Sequence, residues 1–146
     1  MSWSDLEQSL DQDPLFFVQQ PDGARHLTEL ARVVTFRKLV RELGRKVHVH
    51  AIPNAGKRGF AAQRKAKAEG MVGGVFDLCI TWPMRGVAWI EMKGYDARGR
   101  AGKLSQAQID WGNAHFMMGH KVACFFCPVQ AVQWLRENGA PIMQIK

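Results

Sequence analysis

The sequence from residue 75 to residue 93 reads VFDLCITWPMRGVAWIEMK. Its two apolar runs, Val75–Trp82 and Val87–Lys93, are rich in the β-branched and aromatic residues that are typical of strands. The residues that join them, Pro83-Met84-Arg85-Gly86, include the proline and glycine common in turns. We therefore predict a β-hairpin at the centre of the fold.

The spacing around this turn predicts which side chains face each other. In a register centred on Met84, residues whose numbers sum to 168 lie opposite, so Asp77 faces Glu91. Their Cβ atoms would be about 4.5–5.5 Å apart, and a shift of one residue would separate them. Because side chains alternate along a strand, Lys93 shares the face of Glu91, and Met92 points to the opposite face.

This arrangement predicts a metal site. Two adjacent carboxylates repel each other unless a cation lies between them. Mg²⁺, or Mn²⁺ in its place, binds carboxylates together with waters and phosphate oxygens. Lys93 would then steady a phosphate or a metal-bound hydroxide during phosphodiester hydrolysis. The alternative is a solvated strand face, which is the usual explanation of an isolated Glu-x-Lys.

Helices and strands are predicted on both sides of the hairpin. A helix capped by Thr28 is predicted to run to Leu43. Its apolar stripe would consist of Leu30, Val33, Val34, Leu39, Val40 and Leu43. Its polar face would carry Arg32, Arg37, Lys38 and Arg41. The other expected elements are a strand at 47–52, helices at 60–69, 106–118 and 129–138, a strand at 121–127 and a short edge strand at 142–145. This order indicates an α/β domain with a central mixed sheet flanked by helices.

The distribution of charge favours a nucleic-acid partner. The 146 residues include 20 Lys and Arg and 13 Asp and Glu, a net charge of +7. Residues 1–24 form an acidic leader with five acids and no base, so residues 25–146 carry 20 bases and eight acids, a net charge of +12. Such a field attracts phosphate backbones, although a merely solubilising basic surface is the alternative.

Other features of composition concern the cell compartment. No apolar run approaches the length of about 18 residues that a membrane span needs. The first residues lack the basic start and apolar stretch of a signal peptide, and three cysteines are few for a disulfide framework. We expect a cytoplasmic protein with no membrane partner.

Several blocks of sequence resemble the VRR-NUC family of the PD-(D/E)XK nuclease superfamily. The blocks are Gly74-Val75-Phe76-Asp77-Leu78, Ile90-Glu91-Met92-Lys93-Gly94 and Leu104-Ser105-Gln106-Ala107-Gln108, with His50-Ala51-Ile52-Pro53-Asn54, Gly56 and Ala66-Lys67-Ala68-Glu69-Gly70 upstream. The resemblance covers roughly residues 28–136 and is to stand-alone members, many of them phage-borne. It implies a metal-dependent nuclease fold whose sheet presents Asp, Glu and Lys to DNA.

The resemblance also implies roles for individual residues. Asp77 and Glu91 would be metal ligands together with the main-chain carbonyl of Met92, and Lys93 would be the catalytic lysine. Phe76 stands where the family usually has a proline. Glu29 is the candidate for the family's first-helix glutamate, but Val33 occupies the position of the glutamine that usually follows it.

Gln108 has two interpretations. Ser105-x-x-Gln108 fits a helix capping box, in which the glutamine side chain binds the backbone N–H of the serine. The resemblance instead gives Gln108 a role in the active site, and we expect that one amide cannot fill both roles at once.

Polar residues upstream of the hairpin are candidates for DNA contact. Their basic side chains would bind phosphates without reading sequence, and the set comprises His50, Asn54, Lys57, Arg58, Arg64 and Lys65. The expected activity is that of a Mg²⁺-dependent, structure-selective endonuclease that uses a metal-activated water on branched or junction DNA, such as a Holliday junction. The family resemblance also implies a homodimer. The alternative is a non-catalytic basic DNA-binding or assembly module that retains the fold.

The acidic leader has three interpretations. It could lie across the basic groove and compete with DNA, or serve as a dimer arm, because residues 15–18 (Leu-Phe-Phe-Val) are too apolar to be left in water. The third interpretation is a solubilising tail that packs one hydrophobic turn.

Overall fold

The structure is a computed structural model and describes residues 12–53 and 59–145. The strands are β1 (Phe17–Val18), β2 (His48–Ala51), β3 (Leu78–Trp82), β4 (Gly86–Met92) and β5 (Lys121–Phe125). The helices are α1 (Glu29–Leu43), α2 (Phe60–Ala68), α3 (Gln106–Met117) and α4 (Pro128–Glu137). None of these helices is both long enough and apolar enough to span a membrane.

The strands form one five-stranded mixed sheet in the order β1-β5-β4-β3-β2. β2, β3 and β4 are antiparallel neighbours, whereas β5 runs parallel to both β4 and β1. The predicted α/β class with a central mixed sheet is confirmed at this level.

The two faces of the sheet carry separate hydrophobic clusters. On one face, α1 and α4 supply Phe36, Val40 and Leu135 to a cluster that includes Ile90 and Met92 of β4. On the other face, Phe76 and Val122 pack with Trp89 of β4 and with Trp111 of α3. Glu91 and Lys93 alternate with Ile90 and Met92, so they point to the face that carries α3.

The predicted apolar stripe of α1 is wrong in part. Thr28 caps the helix as expected, because its Oγ1 accepts the N–H of Ala31 at 3.1 Å. However, Leu30 and Val34 are 72% and 58% exposed, whereas Arg32 is 1% exposed. The buried face passes through Arg32, Phe36 and Val40.

All three nitrogens of the buried Arg32 guanidinium donate hydrogen bonds. It donates to both carboxylate oxygens of Asp22, at 2.6 and 3.0 Å, and to the carbonyl oxygens of Ala24, Leu27 and Phe126. These bonds offset the cost of removing a charge from water. The acceptors lie outside α1, in the segment that precedes it and at Phe126, which is why the apolar pattern of the helix did not reveal them.

Some predicted strand limits are also wrong. β3 begins at Leu78 rather than at Val75, and β5 ends at Phe125 because Cys127 is already the N-cap of α4. The expected strand at 142–145 is reduced to an isolated bridge between Ile142 and Gly44.

The described part of the acidic leader, residues 12–24, packs against the rest of the chain. Phe16 is buried between Phe76 and α3, and β1 adds to the edge of the sheet beside β5. The side-chain oxygen of Gln19 accepts the backbone N–H groups of Phe126 and Cys127 at 2.7 and 2.8 Å. The acids Asp5, Glu7 and Asp11 lie outside the described residues.

Candidate active site

The hairpin register brings Asp77 and Glu91 together. β3 and β4 pair from Leu78–Ile90 to Trp82–Gly86, which confirms the predicted register. Asp77 lies one residue before β3, and its backbone N–H donates to Oε2 of Glu91 at 2.9 Å. Its carbonyl oxygen accepts the N–H of Ile52, the residue after β2, at 2.7 Å, so both backbone polar groups of Asp77 have hydrogen-bond partners.

A third carboxylate joins this pair. Glu29 is the first residue of α1, and one oxygen each from Glu29, Asp77 and Glu91 lie within 4.8 Å of one another. Glu91 is buried, whereas Glu29 and Asp77 are partly exposed. The cluster therefore offers three carboxylate oxygens as potential metal ligands, one from a buried residue and two from partly exposed residues.

Gly94 allows α1 to approach the end of β4. A Cβ atom at residue 94 would lie 2.5 Å from the carbonyl carbon of Thr28 and closer still to the amide nitrogen of Glu29. Glycine is the residue that permits such contact between two backbones. The approach places the first residue of α1 beside Glu91, which is three residues before Gly94.

Gly74 has a similar role at the start of α3. Its φ is +85°, and a Cβ atom there would lie 2.5 Å from the carbonyl carbon of Ala107. The segment leading to Asp77 therefore packs directly on the first turn of α3, which carries Gln108. Both Gly74 and Gly94 lie in the sequence blocks that carry the family resemblance, but their role in positioning the site depends on contacts that the sequence did not reveal.

Lys93 and Gln108 complete a buried hydrogen-bond network with Glu91. Nζ of Lys93 lies 3.1 Å from Oε1 of Glu91 and donates to Oε1 of Gln108 at 3.1 Å. Nε2 of Gln108 donates to Oε1 of Glu91 at 2.8 Å. All three side chains are at most about one-tenth exposed, so the network is shielded from water and from salt.

Gln108 forms the capping box and also bonds to Lys93 and Glu91, so the expectation that one amide cannot make both sets of contacts is wrong, whereas its role in an active site stays a prediction. Its Oε1 accepts the N–H of Ser105 at 3.0 Å in addition to Lys93, while Oγ of Ser105 accepts the N–H of Gln108 at 3.1 Å. An amide oxygen has two lone pairs, and the NH₂ group remains available for Glu91. The donors around Oε1 also fix the orientation of the amide, because the opposite orientation would place NH₂ against two donors.

The environment of Glu91 disfavours its ionised form. Burial raises the pKa of Glu91 to about 7; the charge of Lys93 acts to lower it, and the nearby charge of Asp77 acts to raise it. A cation held among the three carboxylates would remove much of this penalty. The cluster therefore favours positive charge at the point where the three carboxylate oxygens meet.

The predicted site also includes the main-chain carbonyl oxygen of Met92. Met92 lies in β4 with its side chain buried on the face opposite Glu91, as the alternation predicts. The participation of its carbonyl oxygen in metal binding stays a prediction.

The predicted DNA contacts lie outside this network. His50 is exposed on the edge strand β2, where its ring stacks near that of His48 with centroids 6.3 Å apart. Arg64 and Lys65 are exposed on α2, and Lys65 lies 3.8 Å from Glu69. The other three predicted contacts lie outside the described residues; they are Asn54, Lys57 and Arg58.

Comparisons with known proteins do not identify the chain. No family model, no curated protein and no solved structure matches it. The functional assignment therefore depends on the chemistry of the site and on the motif resemblance described above.

Proposed function

We propose that this protein is a metal-dependent DNA endonuclease with a PD-(D/E)XK core of the VRR-NUC type. The observation that carries the proposal is the meeting of Glu29, Asp77 and Glu91 within 4.8 Å, next to a lysine and a glutamine that are bonded to Glu91. Acidic residues that merely share an exposed surface have no buried lysine bonded to them, whereas Glu91 is buried and contacts the buried Lys93. The resemblance of the Asp77, Glu91-x-Lys93 and Gln108 blocks to that family supports the same assignment.

The donor set fits Mg²⁺ or Mn²⁺. Hard divalent cations of this kind bind carboxylate and carbonyl oxygens, which Glu29, Asp77, Glu91 and the main chain of Met92 would supply. A bound Mg²⁺ lowers the pKa of a water molecule and offsets charge on a phosphodiester. Zinc is a poorer match, because no histidine or cysteine belongs to this cluster in the described residues.

The protein's own side chains would orient the reacting groups. Gln108 holds Oε1 of Glu91 and Nζ of Lys93 in a fixed relation, which reduces the freedom that each would lose on binding DNA. Lys93 supplies a fixed positive charge beside the carboxylates, where negative charge on a phosphate would increase during hydrolysis. Gln108 and Lys93 thus have distinct roles in orientation and in charge stabilisation.

The DNA-binding part of the proposal depends on charge. The net charge of +12 over residues 25–146 favours a polyanion, and the exposed Arg64 and Lys65 are available for phosphates. We include His50, Asn54, Lys57 and Arg58 in the same interface. A branched or junction substrate and a homodimer, with one site for each of two strands, complete the proposal.

Cleavage assays test the proposal directly. Labelled duplex, flap, splayed-arm and four-way DNA would be incubated with the protein in Mg²⁺, in Mn²⁺ and in EDTA. We expect metal-dependent nicking that Glu29→Gln reduces strongly, whereas Glu42→Gln, at the other end of the same helix, leaves the rate unchanged. DNA binding without cleavage of any substrate in either metal would contradict the nuclease assignment and support the non-catalytic module.

A further inference from the structure

A cavity of about 300 Å³ lies beside Lys93. It is lined by the described end of the acidic leader, by the loop that precedes α3, and by β5 with the residue that follows it. Its volume is at the lower end of the range of about 300–1,000 Å³ for small-molecule sites. The cavity is therefore large enough for a planar heterocycle but small for a folded peptide.

The walls of the cavity are mostly apolar. Pro14 and Val18 come from the leader, Leu104 from the loop before α3, Ile109 from the first turn of α3, and Phe126 is the residue that follows β5. Such walls suit the faces of a nucleobase, which stack on apolar and aromatic side chains regardless of base identity.

Two lysines give the cavity a positive border. Lys93 lines it while its Nζ contacts Glu91, and Lys103, also in the lining, is exposed. Lys103 forms no ion pair with any residue in the described ranges. Positive charge at an apolar cavity matches a ligand that joins a flat ring to phosphates, rather than a neutral apolar ligand.

We infer that this cavity receives a nucleobase of the DNA strand that is cut, next to the scissile phosphate. The inference rests on the proposed function and specifies its substrate. Because Lys93 belongs to both the cavity and the carboxylate network, a base in the cavity has its own backbone phosphate close to the candidate metal site. A paired base would first have to leave the duplex, so unpaired nucleotides are preferred. The cavity thereby gives a physical reason for selectivity towards flaps, splayed arms or junctions.

An abasic scan tests this inference. After the cut site of the parent protein is mapped on a splayed-arm substrate, each neighbouring nucleotide is replaced by an abasic analogue that keeps its phosphate. We expect kcat/KM to fall on the order of tenfold at one position and to change little elsewhere. The same oligonucleotides, single-stranded and in EDTA, are also compared for binding by fluorescence anisotropy.

Two variants place a larger side chain in the cavity from different walls, and neither replaced residue belongs to the carboxylate network. Leu104→Trp and Pro14→Trp should each make the protein less sensitive to the missing base. The ratio of the cleavage rate on the base-containing strand to that on the abasic strand should fall towards one, and so should the ratio of the two affinities. Met117→Trp, at a residue that is 77% exposed and outside the cavity lining, is the matched control and should keep the parent's ratio. Circular dichroism and thermal unfolding establish that each variant folds, and the second filling variant is used if the first does not.

The outcomes separate this inference from the proposed function. A parent protein that cleaves and binds base-containing and abasic strands equally well overturns the inference but leaves the nuclease intact. Filled variants that keep or increase the parent's ratio also overturn it. If nothing is cleaved in Mg²⁺ or Mn²⁺ but base-dependent binding is lost on filling, the nuclease proposal fails and the cavity assignment stands. A parent that does not bind single-stranded DNA overturns the cavity assignment.

Discussion

The backbone of Gly94 lies against the backbone of Glu29. This contact packs the segment just after β4 against the beginning of α1. A Cβ atom at residue 94 would lie 2.5 Å from the carbonyl carbon of Thr28, the residue before Glu29. The carbonyl carbon of Thr28 and the amide nitrogen of Glu29 are backbone atoms at the start of a helix, so neither can rotate away as a side chain would. The position of the third carboxylate therefore depends on the absence of a side chain at residue 94.

Gly94→Ala should separate α1 from β4 and displace Glu29. We expect a loss of stability of about 1–3 kcal/mol, as for other overpacked sites, together with weaker Mg²⁺ binding. Urea unfolding in EDTA measures the first effect, and calorimetric titration with Mg²⁺ measures the second. Gly73→Ala is the control, because a Cβ atom there meets nothing within 4 Å. A Gly94→Ala variant that loses stability as expected but keeps the parent's Mg²⁺ affinity would contradict the role of Glu29 as a ligand.

The ionisation of Glu91 should make the metal-free protein less stable at high pH. Burial raises the pKa of Glu91 from 4.5 to about 7, so its contribution to stability is fully present below pH 4.5 and is lost as pH rises through about 7. The associated free energy is on the order of 3 kcal/mol. Glu91→Gln removes this titration, and its stability should vary less between pH 5 and pH 8.5 in EDTA than that of the parent.

Added Mg²⁺ provides the control for the pH prediction. A cation bound by the ionised cluster stabilises the folded state by mass action, so the parent should regain stability at pH 8. Glu91→Gln should regain much less. Parallel pH profiles for the parent and Glu91→Gln in EDTA would show that the carboxyl group does not titrate in this range.

The capping role of Gln108 and its proposed role in the active site can be separated by comparison with Ser105. Ser105→Ala and Gln108→Ala both break the capping box of α3, and each should cost about 0.5–2 kcal/mol of stability. Only Gln108→Ala also removes the bonds to Lys93 and Glu91. We therefore expect cleavage to fall by about tenfold or more in Gln108→Ala and by much less in Ser105→Ala, in assays below the unfolding temperatures of both. Equal losses of activity would assign Gln108 to capping alone.

Arg64 and Lys65 should influence affinity more than chemistry. Replacing both with serine should flatten the dependence of log K on log salt by up to about 0.9 for each DNA phosphate that the variant no longer neutralises. Binding is measured in EDTA, so that cleavage does not interfere. A slope identical to that of the parent would remove α2 from the DNA interface.

The parts of the fold that were predictable are those set by short-range patterns. The hairpin register follows from the turn around Met84 and from side-chain alternation, and it correctly placed Asp77 opposite Glu91. β1 was not predicted because a strand of two residues has no detectable period. The burial of Arg32 was missed because its acceptors lie outside the helix, in the leader, at Leu27 and at the residue after β5.

The ion pair between the buried Arg32 and the more exposed Asp22 supplies the last prediction. The hydrogen bond from Arg32 lowers the pKa of Asp22, so the pair stabilises the fold above the ordinary aspartate pKa of 3.8, and that stabilisation is lost as pH falls below it. Asp22→Asn removes the counter-ion of a buried guanidinium that keeps its three carbonyl acceptors, and it should cost about 1–3 kcal/mol in urea unfolding at pH 7. The matched variant is Asp96→Asn, which breaks the exposed pair with Arg100 and should lower stability much less, because water screens that pair. If both variants lose the same small amount, the described end of the leader is not held by Arg32, and its packing depends on Phe16 and β1 instead.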